Sequence, residues 1–211
     1  MKLRQIWGTR ISVTPALIEW ARLLGMRVCA VVLAAGGSRR LGRAKQLAVV
    51  DGETLLGRTL RVVCEAGVDS VVVVLGARAE EIAAAVDWRG SRVEVNPDWE
   101  MGMASSIRVG VLAAGNTDGV LMLVCDQARL AAEHLRELLR RFDGAGVVAS
   151  GYAGIVGIPA VFPKTMFGQL MRLEGDAGAR VLLREYAGQV EVVPWENGVV
   201  DVDTAEDLSA L

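Results

Sequence analysis

The chain has 211 residues, 52% of them hydrophobic and 23% charged, with only five prolines, which argues against disorder and suits one α/β domain with a full core. A formal net charge of −2 argues against nonspecific nucleic-acid binding, and no apolar run reaches the length of a membrane span. Three cysteines without C-x-x-C spacing and a single histidine make a zinc site improbable, and reduced, buried cysteines are expected of a cytoplasmic protein.

Residues 1–25 lack the apolar centre and small-residue cleavage site of a signal peptide. They read either as an artefact of start-site choice or as an extension whose Pro15–Leu24 forms a short amphipathic helix introduced by Thr14. A single domain is expected over residues 26–211. Its first strand is the apolar run Val28–Ala35, which breaks into Gly36, Gly37 and Ser38 and then into the cations Arg39, Arg40, Arg43 and Lys45. A strand opening into such a loop offers backbone N–H groups and positive charge to a polyphosphate. The pattern is neither G-x-G-x-x-G nor Walker A, since Arg43 and Ala44 stand where the latter needs Lys and Ser/Thr. The competing reading is an arginine-rich solvated turn.

Further strands are expected at Ser70–Leu75, Arg92–Asn96, Val120–Cys125 and Gly146–Ser150. Helices are expected at Thr54–Glu65, Ala79–Val86, Ser105–Ala114 and Ala131–Phe142. The runs at 71–75 and 120–125 are apolar at every position, as in strands buried on both faces. The alternation predicts a doubly wound, mostly parallel sheet with ligands outside the carboxyl ends of its strands. After residue 150 the glycines and Pro159 around Ile155–Val156 and Ala160–Phe162 suggest an antiparallel hairpin or edge element. Helical patterns at Thr165–Leu173 and Ala177–Tyr186 and a strand at Val190–Val193 complete the chain.

Four groups follow or end these strands: residues 36–45, 96–108, 126 and 203. Asp126, closing a central strand, is well placed to hold Mg²⁺, a hard cation that takes oxygen ligands and bridges phosphates; capping the next helix is the alternative. Ser105 and Ser106 at a helix start offer N–H groups and hydroxyls to an anion or a ribose. Asp203, close to Thr204 and Glu206, also fits a helix N-terminus. Trp99 reads as a packing residue at a pocket rim, Met101 and Met103 as pocket lining, and His134 as a solvated residue on a polar helix face.

Leu33, Ala34, Ala35, Gly36, Ser38, Arg40, Leu41, Gly42 and Lys45 fall on the pattern L-A-[AG]-G-x-S-x-R-[ML]-G-x-x-K. This resembles the signature of the molybdenum-cofactor-guanylyltransferase-like (MobA-like) nucleotidyltransferases, which have a Rossmann-like nucleotide-diphospho-sugar transferase fold. Asn96 to Gly110 resembles the N-x-x-[WY]-x-x-G-[ML]-x-x-S-[IL]-x-x-G element of the cytidylyl branch. Asp126-Gln127 resembles C-D-Q-P and Asp201 to Leu208 resembles D-[IV]-D-T-P-E-D-L, with Ala128 and Ala205 replacing the usual prolines. Gly154 to Phe162 and Gly175 to Arg180 resemble the elements beside the acceptor.

The resemblance implies that Leu33, Ala34, Ala35, Gly36, Gly37, Ser38, Asn96, Ser105 and Ser106 bind the nucleotide. Lys45 and Arg40 grip its phosphates, and Asp126 and Asp203 hold Mg²⁺. Gly157, Asp176 and Arg180 meet the acceptor. The implied reaction moves CMP from CTP to the phosphate of a molybdopterin-type acceptor, with a molybdoenzyme or its maturation chaperone as a further partner. A guanylyltransferase, a sugar-1-phosphate nucleotidyltransferase and a non-catalytic maturation factor are the alternatives. The methyl of Ala35, absent from the guanylyl branch, is expected to narrow the base slot in favour of a pyrimidine.

Overall fold

The computed structural model describes residues 25–38, 41–199 and 207–208. The expected helix at Pro15–Leu24, the cations Arg39 and Arg40, and the segment with Asp201, Asp203, Thr204 and Glu206 lie outside the described residues.

Every residue of β1 (Val28–Ala34) is buried, and its side chains alternate between two cores. Ala30, Val32 and Ala34 face one helical layer, in which Leu56 and Leu60 of α1 (Leu55–Ala66) meet Leu135 and Leu138 of α4 (Ala132–Arg141). Cys29, Val31 and Leu33 face the other, where Ile107 and Val111 of α3 (Met103–Ala114) lie with Leu182 and Leu183 of α6 (Arg180–Glu185). Burying each such leucine stabilises the fold by roughly 1.5–3 kcal/mol. Helices on both faces explain why the central strands are apolar at every position.

The remaining strands are β2 (Val49–Val50), β3 (Glu53–Thr54), β4 (Ser70–Leu75), β5 (Arg92–Val95), β6 (Gly119–Val124), β7 (Val147–Tyr152), β8 (Ile155–Pro163) and β9 (Val190–Pro194). The helices α2 (Ala79–Ala85) and α5 (Phe167–Met171) complete the set. Seven strands form one sheet in the order β5-β4-β1-β6-β8-β7-β9. β5, β4, β1 and β6 run parallel, as do β7 and β9; β8 pairs antiparallel with both β6 and β7. The expected doubly wound, mostly parallel sheet is present. Its antiparallel element is a β7–β8 hairpin turning through Ala153 and Gly154, both at positive φ.

The chain crosses from β1 to β4 on one side and returns to β6 on the other. The crevice at this reversal lies above the carboxyl ends of β1 and β6, which are in register as Leu33 beside Val124. The expected hairpin segments Ile155–Val156 and Ala160–Phe162 are one continuous strand. Helix α3 begins at Met103, two residues before the expected start at Ser105, because Gly102 at φ 98° turns the chain into it. At the other end of that motif Gly110 packs against Val31 and Val74, where a side chain would collide with the sheet. A small hairpin, β2–β3, was not expected from the alternation. It turns on Asp51-Gly52, both at positive φ, a pair that signals such a turn.

Candidate active site

A cleft of about 400 Å³ opens at the strand-order reversal. One wall is the end of β1 and its loop, Leu33 to Gly36; the other is Cys125 and Asp126 after β6. Across them, Lys45 Nζ donates to Asp126 Oδ2 at 2.5 Å, with the two side chains 18% and 16% exposed. The second carboxylate oxygen, Asp126 Oδ1, is buried and has no hydrogen-bond partner among the described residues. Asp126 does not cap α4, whose N-cap position is Ala131. The turn after Asp126 is held by its own backbone, since Ala128 N–H donates to Asp126 O over 3.1 Å, a bond the usual proline cannot make.

The loop between Gly36 and Lys45 is shaped internally. Ser38 sits at φ 50°, and its Oγ accepts the Lys45 backbone N–H at 3.1 Å, which aligns the lysine with the cleft. The Trp99 ring packs on Gly37 and its Cβ on Gly76, where an added Cβ would come within 3.2 and 2.5 Å of it. Trp99 thus packs as expected and also lines the cleft. At Gly36, by contrast, an added Cβ meets none of the described residues within 4 Å, so no contact with them requires glycine there. The space it leaves opens on the cleft, and a ligand in close contact with the backbone would require it.

Of the other residues implied by the resemblance, Ser106 and Asp176 line the cleft. Asn96 and Ser105 do not; they form a buried strut behind it. Asn96 Nδ2 donates to Ser105 Oγ (2.8 Å) and Ser106 Oγ (3.0 Å), while its Oδ1 accepts the Asp98 N–H (3.0 Å). Ser105 Oγ in turn bonds the Asp98 and Gly102 carbonyls. The Ser106 oxygen accepts from Asn96, which leaves its proton for a group in the cleft. Gly157 and Arg180 gather around Tyr152: Arg180 Nη2 donates to the Tyr152 hydroxyl over 3.4 Å, and an added Cβ at Gly157 would meet that hydroxyl at 2.5 Å. Asp176 is carried by a loop docked on α3, since Ala104 N–H donates to Gly175 O at 3.0 Å.

Burial, and secondarily the Asp126 charge, push the Cys125 thiol up to about 12, which leaves it unsuited to nucleophilic work. Met103 lines the cleft, but Met101 is 64% exposed and does not. The reading of His134 as solvated is wrong. It is buried, stacked on Trp195 at a centroid distance of 4.8 Å, and bonded through Nε2 to Ser150 Oγ at 2.7 Å. Sequence reasoning missed Gln46, which is 1% exposed in the cleft wall and bonds the Ala34 and Gly36 carbonyls. A polar residue between Lys45 and the apolar Leu47-Ala48 was the available signal.

Comparison with known proteins bears on the family and the fold. Residues 30–190 match the MobA-like NTP transferase domain. The chain is 32% identical to nicotine blue oxidoreductase of Paenarthrobacter nicotinovorans, over 87% of this chain and 96% of that one. It is also 32% identical to the purine catabolism protein PucB of Bacillus subtilis (strain 168), over 84% and 92%. The crystal structure of Rv0371c from Mycobacterium tuberculosis H37Rv superposes with a TM-score of 0.80 and 35% identity, over 88% of this chain and 97% of that one. A structure of Rv0371C in complex with manganese gives a TM-score of 0.76 at 32% identity, covering 88% and 98%. The chain belongs to the family of MobA-like NTP transferase domains, a nucleotidyltransferase family.

Proposed function

We propose that this chain is a Mg²⁺-dependent cytidylyltransferase that moves CMP from CTP to the phosphate of molybdenum-bound molybdopterin and releases pyrophosphate. The observation that carries the transfer chemistry is the Lys45–Asp126 pair lining the crevice with Gly36, with Asp126 Oδ1 without a partner among the described residues. An acceptor phosphate oxygen attacks the α-phosphorus of CTP; the bond to the bridging oxygen breaks, and pyrophosphate leaves with that electron pair. Such an oxygen is already a competent nucleophile, so the protein has to align the partners and offset charge.

Lys45, brought into line by Ser38, neutralises the triphosphate together with Arg40, and Ser106 donates from the opposite wall. The orphaned Asp126 Oδ1 fits a divalent cation, which Asp126 and Asp203 would hold and which supplies positive charge to the reacting phosphates. Manganese in the complex of a structural relative supports a divalent ion. CTP as donor and molybdopterin as acceptor rest on the motifs at 33–45, 96–110 and 175–180. In this reading Asp176 and Arg180 face the acceptor.

Pyrophosphate release measured with each nucleoside triphosphate, with and without molybdopterin, tests the proposal. Release is expected with CTP and only when the acceptor is present. GTP as the better donor would point to a guanylyltransferase, release with a sugar 1-phosphate to a pyrophosphorylase, and CTP binding without release to a maturation factor.

A further inference from the structure

Loops leave the carboxyl ends of the neighbouring strands β5, β4 and β1, and one side chain ties all three together. Trp99 belongs to the first of them, in the turn Trp99–Met101. Its Cβ and Cγ press on Gly76 after β4, where an added Cβ would stand 2.5 and 2.7 Å from them. The far edge of the ring, Cζ3 and Cη2, reaches Gly37 after β1, where an added Cβ would stand 3.2 Å from both. The indole thus spans the distance between the two glycines. Neither of them has the positive φ that favours glycine, so the requirement comes from what a Cβ would hit. At Gly37 that is Trp99 first; at Gly76 it is Trp99 and the Ala35 carbonyl, which accepts the Ala77 N–H at 3.0 Å. Ala35, Gly36 and Trp99 all line the cleft.

We propose that Trp99 is the positioning residue of the glycine loop, holding residues 35–37 in the shape that receives the nucleoside triphosphate. Two consecutive glycines lose much conformational freedom when they are fixed. With the ring against Gly37 and the Ala77 N–H on the Ala35 carbonyl, that loss falls in folding and no longer opposes binding. The inference rests on the nucleotidyl-transfer reading and deepens it by separating the two glycines. Gly36 keeps space for the ligand, whereas Gly37 keeps space for the tryptophan. A loop that grips the triphosphate equally before and during transfer contributes uniform binding. Loss of its support is therefore expected in the nucleotide KM, with kcat little changed.

Equilibrium titration of the full chain with CTP and Mn²⁺, beside pyrophosphate-release kinetics, tests this. Trp99→Ala is expected to weaken CTP binding roughly tenfold, the effect of ordering about one residue of backbone on binding. Gly37→Ala drives a methyl against the ring and is expected to weaken it about threefold. Trp99→Phe draws the ring edge back from Gly37, so the two changes compensate: the double variant should bind CTP more tightly than Gly37→Ala alone. A tryptophan that served stability alone would lower the urea midpoint and leave the CTP affinity of the folded protein unchanged. Unchanged affinity in folded Trp99→Ala overturns the proposal. So do losses in Gly37→Ala and Trp99→Phe that simply multiply in the double variant, which decides the matter even if Trp99→Ala does not fold. If wild-type protein binds no CTP, the cytidylyl reading falls instead, a result distinct from equal affinities of wild type and Trp99→Ala.

Discussion

Lys45 and Asp126 form an ion pair with each other, and in the proposed reaction both are wanted by incoming ligands. A divalent cation on Asp126 must compete with the ammonium already seated there, whereas a triphosphate draws the ammonium away. The pair is only partly exposed, so its attraction is worth on the order of 1 kcal/mol, about a fivefold effect. In nucleotide-free protein, Lys45→Ala is therefore expected to bind Mn²⁺ about three- to tenfold more tightly, while its CTP affinity falls roughly tenfold. Asp126→Asn is expected to lose Mn²⁺ binding and turnover together, since an amide carries no charge for a hard cation. Electron paramagnetic resonance titration of free Mn²⁺ reads both variants, and weaker Mn²⁺ binding in Lys45→Ala would contradict the competition. Asp126 was legible in the sequence as a charge closing an apolar strand, and Lys45 as one of the cations clustered in the loop after β1. Gln46 was not, because its role depends on where the Ala34 and Gly36 carbonyls point, which no spacing reveals.

The elements show a similar division. Apolar runs and alternation were enough to locate the main strands and helices within a few residues, because burial on both faces leaves a continuous hydrophobic signal. The start of α3 was displaced, because the decisive contact there is between two backbones. Gly102, at φ 98°, lies against the backbone of Gly175 and Asp176, and an added Cβ would overlap the Gly175 carbonyl. Its place in a spaced motif was visible, but its partner in the fold was not. Gly102→Ala combines an unfavourable φ with that overlap and is expected to lower stability by about 1–3 kcal/mol. It should also push the 175–178 loop away from α3 and carry Asp176 out of the cleft wall. Urea unfolding and acceptor KM check the two effects. An unchanged denaturation midpoint would show that the loop yields freely and does not lock the element.

At the scale of the whole molecule, the far end of the chain returns to cover the layer around α4. Trp195, just after β9, donates its backbone N–H to the Gly151 carbonyl at 2.8 Å, and its ring stacks on His134, with Tyr152 against its edge. The Ser150 hydroxyl donates to the Pro159 carbonyl, so His134 acts as the Nε2–H donor to Ser150. Nothing local in the α4 sequence announces this, because the residues that bury His134 arrive from β7 and from beyond β9. Desolvation pushes the His134 pKa down from 6.5 to about 4, against a smaller opposing pull from Glu137. Below pH 6.5 the unfolded chain takes up this proton while the folded chain does not until about pH 4. The contribution of neutral His134 is therefore complete above pH 6.5 and is lost as pH falls from 6.5 to 4. Its size is about 1–3 kcal/mol. Glu137, held down to about 2 chiefly by its hydrogen bond from Arg140, acts in the same direction but in the lower window between 4.5 and 2. Urea unfolding between pH 7 and 4.5 should show wild-type stability falling by that amount, and His134→Gln, which keeps a donor for Ser150 without the titration, should flatten the profile. An equally steep fall in His134→Gln would mean that the acid sensitivity of the fold lies elsewhere.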